Sequence, residues 1–155
     1  MAGLSASVTI TRVNDTNAYG AGDVIGAATA TTAIQSFRLA AGSVMIRSTT
    51  LEIDAAAVIS GETSYTLHLY SDAAPSALGD NVAWDLPAGD RGTYLGSLAL
   101  GTPADVGSSL FIQVDGINKE VFLPGETLYG YLVTAGAYTP TASRVYRVKI
   151  VAEAL

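Results

Sequence analysis

Chemistry in this chain would have to begin at His68, its one histidine. A Ser-His-Asp arrangement would have to use it, yet the sequence holds no G-x-S-x-G elbow on which a nucleophilic serine could be presented. His68 sits between Leu67 and Leu69 in an alternating stretch, the setting of a surface or interface residue on a strand. With one histidine and no cysteine a protein zinc site has too few ligands, and without cysteine there is no disulfide framework. Asp80, Asp85 and Asp90 could offer oxygens to calcium. Their spacing matches no EF-hand, and loop aspartates commonly close Asx turns. Nothing among the fourteen carboxylates selects the close pair that glycoside hydrolysis needs. No catalytic residue, metal or cofactor is therefore expected.

Two further motifs fail on context. The run from Gly20 to Gly26 resembles a dinucleotide fingerprint, but its last glycine comes one residue late and Asp23-Val24-Ile25 reads as a strand instead of a helix. Its glycines are expected to form a turn with positive φ ahead of a strand. Asn14-Asp15-Thr16 is a formal glycosylation sequon, without meaning unless the protein is secreted.

The aromatic residues carry more information. Tyr129 and Tyr131 lie two apart and so share one strand face. Such a pair suits sugar stacking, a protein interface, or core packing with a hydroxyl at the rim. Tyr70 and His68 share a second such face. Trp84, the single tryptophan, is expected to be largely buried and to pin the long segment that contains it.

Strands must position these groups, because the hydrophobic period is two along most of the chain. Val8 and Ile10 alternate with threonines; Tyr65, Leu67 and Leu69 oppose Thr66, His68 and Tyr70. Leu110 to Asp115 and Tyr146 to Ile150 alternate equally well, and Leu128 to Val133 forms another strand. From Val44 to Ile53 the apolar phase flips, which predicts a bulge or a change of sheet near Thr49. Turn signals at Asn14-Asp15, Gly20 to Asp23, Ser60-Gly61-Glu62, Asp115-Gly116 and Pro124-Gly125 separate these runs. The pattern predicts an all-β, antiparallel, jelly-roll-like sandwich of about eight to ten strands, as one domain over 1–155. One long loop interrupts it, residues 72–92, with a helical turn expected at Pro75 to Leu78 and Arg91 on its outer side.

Composition bounds the partners. The 155 residues form a 15.9 kDa chain, and scaling predicts a folded surface of roughly 7,000 Å². Only 14% of residues are charged, against about 25% in an average soluble domain. A net charge of −6 argues against nucleic acid, which wants a basic stripe. No apolar run reaches the roughly 20 residues that span a bilayer, and Met1 to Ile10 lacks the basic and apolar regions of a signal peptide. A surface so poor in charge is expected to be covered by self-association or by a larger assembly.

Several stretches together carry a likeness: Ala21-Gly22-Asp23-Val24-Ile25-Gly26, Leu67-His68-Leu69-Tyr70, Pro75 to Leu78, Asp80 to Leu86, Asp90-Arg91 with Tyr94-Leu95-Gly96, and Leu128 to Val133 followed by Ala137-Tyr138-Thr139-Pro140. In these the chain resembles small virion-associated head proteins of tailed bacteriophages, over nearly its whole length. The resemblance implies a capsid decoration, or cement, protein. Such a protein is made in the bacterial host cytoplasm, binds the exterior of the major capsid protein, and associates as trimers or dimers. Interface residues would come from His68, Tyr70, Arg91, Tyr129 and Tyr131. The competing expectation is a carbohydrate- or receptor-binding module of a head fibre or tail, built on Tyr129 and Tyr131; a β-fold hydrolase is third.

Overall fold

The computed structural model describes residues 2–27, 31–71 and 74–155. They form an all-β antiparallel sandwich with a surface of 6831 Å², close to the scaling expectation. Eleven strands are present among these residues: β1 (Ala2–Thr11), β2 (Val24–Ile25), β3 (Gln35–Arg38), β4 (Gly42–Ile53), β5 (Tyr65–Tyr70), β6 (Tyr94–Gly101), β7 (Ala104–Asp105), β8 (Leu110–Val114), β9 (Lys119–Leu123), β10 (Thr127–Thr134) and β11 (Val145–Ala154). The count exceeds the expected range by one; β2, within the strand read at Asp23-Val24-Ile25, and β7 are pairings of only two residues each.

One sheet runs β1-β11-β4-β8-β7, with β9 also paired to β4. The other runs β2-β10-β5-β6, with β3 also paired to β10. Sequence neighbours are mostly separated in space, so the connections cross between sheets in jelly-roll fashion. Alternation decides which side chains meet in the middle. Ile10, Leu51, Ile53, Val148 and Ile150 face Phe37, Leu67, Leu69, Leu128 and Leu132, all buried in one cluster.

The phase flip in β4 is a bulge. Val151 of β11 pairs with Ser48 but Ala152 pairs with Ile46, leaving Arg47 as the extra residue. Val44 and Ile46 therefore point inward on one side of the bulge, and Leu51 and Ile53 on the other. β4 stays in one sheet but changes partner, from β8 along Thr49 to Ile53 to β9 along Gly42 to Ile46. The predicted positive φ falls on Gly22, at +86°, directly before β2.

The expected helical turn is displaced. Residues 75–78 are not helical, and the one-turn 3-10 segment is Ala88–Asp90, opening after Pro87. Proline fixes φ for such an entry, whereas Leu78 is held by the sandwich, its carbonyl accepting from Ala33 at 2.7 Å. Asp72 and Ala73, the first residues of the long loop, lie outside the described residues.

Candidate functional site

Residues 74–92 fold back over the outer face of the β2-β10-β5-β6 sheet and enclose a second apolar cluster there. Alternation that sends Leu67, Leu69, Leu128 and Leu132 to the main core sends His68, Tyr70, Tyr129, Tyr131 and Val133 outward, beneath the loop. Backbone bonds zip the loop to β2 and the turn before it. Val24 N–H donates to Val82 at 2.8 Å, Asn81 N–H to Val24 at 2.9 Å, and Trp84 N–H to Gly22 at 2.9 Å.

Tyr131 is the anchor of this layer. Its hydroxyl donates to the Ser76 carbonyl at 2.8 Å and accepts from Leu78 N–H at 3.0 Å, with Thr32 Oγ1 also at 3.0 Å. Its ring meets Tyr70 edge-on, at 5.9 Å and 89°. Tyr70 and Tyr131 are fully buried. The loop covers the face that these two rings share. Of the Tyr129–Tyr131 pair, Tyr129 remains half-exposed and Tyr131 is buried.

Trp84 pins the loop, though half-buried instead of largely buried. Its indole stacks on the His68 imidazole at 3.6 Å and 10°, and Nε1 donates to the Tyr70 hydroxyl at 3.1 Å. His68 Nδ1 lies 2.9 Å from the Tyr94 hydroxyl. Burial pushes the His68 pKa down to about 4, so the ring is neutral at pH 7. Burial likewise pushes Tyr70 up to about 12. The neutral imidazole is thus held between the Trp84 indole and the Tyr94 phenol. Arg91 follows the 3-10 turn, exposed, with no ion pair among the described residues.

The loop carboxylates hold structure. Asp80 accepts from Tyr19 Oη at 2.6 Å and Gly26 N–H at 2.9 Å, and pairs with the buried Arg12 at 3.4 Å. Asp90 caps Ser76 N–H at 3.0 Å. Among the described residues, no three of His, Asp or Glu gather where a metal could bind.

A second polar centre, absent from the sequence expectations, closes one end of the sandwich. Arg144 and Glu62 form a bidentate pair at 2.9 and 3.0 Å with both side chains fully buried. Tyr65 donates to Glu62, while the hydroxyls of Tyr65, Tyr138 and Tyr146 form a chain with spacings of 2.8 and 2.7 Å. Burial acts to lower the Arg144 pKa, but the Glu62 hydrogen bond and surrounding groups outweigh it, so the guanidinium stays charged. Glu62 and Arg144 are 82 residues apart, which leaves no local motif. The available hint was Tyr65, in phase with Leu67 and Leu69, because a tyrosine facing a core requires a partner for its hydroxyl.

The outer face of the other sheet is uncovered by any described residue. Across it, Arg147 pairs with Glu52 and Arg47 with Glu153, each at 2.7 Å, so much of its charge is internally neutralised. Phe122 on β9 is 61% exposed there.

No family model and no curated protein matches this chain. Among solved structures it is similar to the capsid asymmetric unit of cyanophage Pam1, at 16% identity over 97% of this chain and 82% of that one, with a TM-score of 0.36. It is similar to the native virion of Kashmir bee virus at neutral pH, at 12% identity over 99% and 72%, TM-score 0.30. A third likeness is to VP1 of Trichodysplasia spinulosa-associated polyomavirus in complex with GM1 oligosaccharide, at 9% identity over 97% and 94%, TM-score 0.35. Likenesses this distant assign no role to the chain.

Proposed function

We propose that the protein is a non-enzymatic structural component of a tailed-phage virion, a decoration or cement protein on the capsid exterior. The observation that carries this reading is where the reactive groups go. His68, Trp84, Tyr70, Tyr131, Asp80, Glu62 and Arg144 all bond to other side chains or to backbone within the chain. What remains outside is a surface poor in charge, with one open sheet face on which Arg147 and Arg47 are ion-paired and apolar Phe122 is exposed. Such a surface suits protein contact over catalysis.

The partners are the phage major capsid protein and further copies of this chain, as dimers or trimers. Many modest contacts, made simultaneously by each copy, would hold it by avidity. Arg91 at the loop tip, with Tyr129 and His68 at the rim of the aromatic layer, supplies contacts on one side, and Tyr70 and Tyr131 stiffen the layer from beneath. The chain is made in the bacterial host cytoplasm and ends on the virion.

Copy number tests the reading. Quantitative mass spectrometry on purified virions of the encoding phage should find on the order of hundreds of copies per particle, as avidity over a whole shell requires. Absence from the particle, or a stoichiometry of only a few copies, overturns the decoration assignment.

A further inference from the structure

The two long sheet edges are treated differently. On β6, the edge of the five-stranded sheet, pairing with β5 is broken twice, between Tyr65 and Thr66 and between Leu69 and Tyr70. Irregularities of this kind twist an edge away from further pairing. β1, the edge of the other sheet, pairs with β11 over ten consecutive residues without a register shift. It contains no charged residue and no proline, the two common chemical guards of an edge strand.

The phase of β1 can be fixed. Arg12 N–H donates to the Arg144 carbonyl at 2.9 Å just past its end, and Asp54 N–H donates to Val145 on the opposite side of β11 at 3.0 Å. Even-numbered residues of β1 thus turn their backbone groups to β11. Gly3, Ser5, Ser7, Thr9 and Thr11 turn theirs outward, where among the described residues no strand pairs with them. These five residues are exposed, while Leu4, Ala6 and Val8 on the inner side are only half-buried.

We propose that β1 pairs antiparallel with β1 of a second copy, about a twofold axis at Ser7, joining two six-stranded sheets into one. The sequence is self-complementary in that register. Ser7 meets Ser7 and Ser5 meets Thr9 on the outer face, where hydroxyl pairs are favourable. Ala6 meets Val8 and Leu4 meets Ile10 on the inner face, completing the cover of side chains that one copy leaves half-open. No charge lies opposite a like charge, the usual penalty when a strand pairs with its own copy. The contact is isologous and closed, so it ends at a dimer. This deepens the self-association half of the proposed function and is independent of the capsid half.

The chain has no cysteine, so a single introduced thiol reports the axis directly. Ser7→Cys in the full chain, under mild oxidant, should give a covalent dimer on a non-reducing gel, because directly opposed residues bring their Cα atoms to about 5.5 Å, within disulfide reach. Thr50→Cys, in the middle of the same sheet, should not. In sedimentation velocity the unmodified protein should run as a dimer. Ser7→Pro removes an outward N–H and leaves the β11 ladder intact; it should run as a folded monomer whose thermal midpoint, unlike the parent's, does not depend on protein concentration. Ser7→Lys, which sets two cations face to face, should do the same. A monomeric parent chain, cross-linking of Ser7→Cys no faster than of Thr50→Cys, or a dimer that survives both Ser7→Pro and Ser7→Lys overturns the proposal. Failure of virion binding by a chain that dimerises in this way sinks the capsid reading alone.

Discussion

Replacing Glu62 by glutamine changes one buried charge and almost no volume. In the parent chain the two carboxylate oxygens take both terminal nitrogens of Arg144, and both side chains are fully buried. The amide of Glu62→Gln can accept one of those bonds but cannot neutralise the guanidinium. Arg144 Nε already lacks a hydrogen-bond partner, and the neutral Tyr146 hydroxyl that accepts from Nη1 at 3.3 Å cannot replace the lost charge. Removing one partner of a buried pair costs about 3–5 kcal/mol, most of it the stranding of the other charge. For a domain of this length each kcal/mol moves the melting temperature by about 2–4 °C. The expected drop is therefore roughly 6–20 °C, with a matching fall in the urea midpoint. Against a total of about 5–15 kcal/mol, the variant stays well folded only where the parent lies above the bottom of that range. A companion variant separates charge from packing: Glu62→Leu with Arg144→Met removes both ions. It should recover most of the loss, since the hydroxyls of Tyr65, Tyr138 and Tyr146 still bond one another. Thermal and urea unfolding of both variants is the assay. A Glu62→Gln protein within about 1 kcal/mol of the parent would refute the reasoning, because it would mean that water reaches the pair.

Three further outcomes are expected. Trp84→Ala loses a half-buried ring, the His68 stack and the Tyr70 bond, about 2–3 kcal/mol in all, and should lower both the melting temperature and virion binding; Arg91→Ala, at an exposed site, should weaken co-sedimentation with capsids and leave melting unchanged. His68 is neutral in the fold, with a pKa of about 4 against 6.5 when unfolded, so stability is complete above pH 6.5 and falls as pH drops toward 4. In a dry site that gap corresponds to about 3 kcal/mol; solvent screening and the cation–π contact of an imidazolium with Trp84 reduce it to about 1 kcal/mol, and urea titrations of His68→Phe should show the slope removed. Gly136→Ala would set a methyl group against the Gly61 carbonyl and 2.7 Å from Thr63 Oγ1, so a loss of about 1–3 kcal/mol is expected on thermal unfolding.

Alternation made the long strands legible before any coordinates, because a half-buried strand writes its inner and outer faces into every second residue. Val8 and Ile10, Tyr65 to Leu69, and Tyr146 to Ile150 point where period two places them. The β4 bulge was legible as well, since one inserted residue reverses the phase. Its position was shifted by two residues, to Arg47. The aromatic layer was visible only as residues of the right type. That Tyr129 and Tyr131 share a face follows from spacing; that a loop seals the face does not, because Tyr131 meets Ser76 and Leu78 more than fifty residues away. Leu128 to Val133 did carry an overlooked sign. Six residues without one charge read as a strand covered on both sides, which is how β10 sits. The Glu62–Arg144 pair and the Arg12–Tyr19–Asp80 group were illegible for a related reason: each joins turns and strand ends that only the crossing connections bring together.

The sealing of one sheet and the openness of the other sets how freely each part of the gene can drift. On β11 only every second residue is committed to the core, and Arg147 and Lys149 stand in solvent between buried neighbours. Codons there can change at half their positions with little effect on folding. β10 has no such slack. From Gly130 to Thr134 every residue is buried, with main-core packing on one side and the loop on the other. A mutation in that segment disturbs either the sandwich or the lid, and a change in the loop from 74 to 86 must be matched by residues of β10 or β2. The loop and the strand beneath it therefore form one unit of variation. Related chains with longer or shorter versions of the loop should show compensating changes at the positions of Tyr70, Tyr131 and Val133, while the outer residues of β11 vary independently of both.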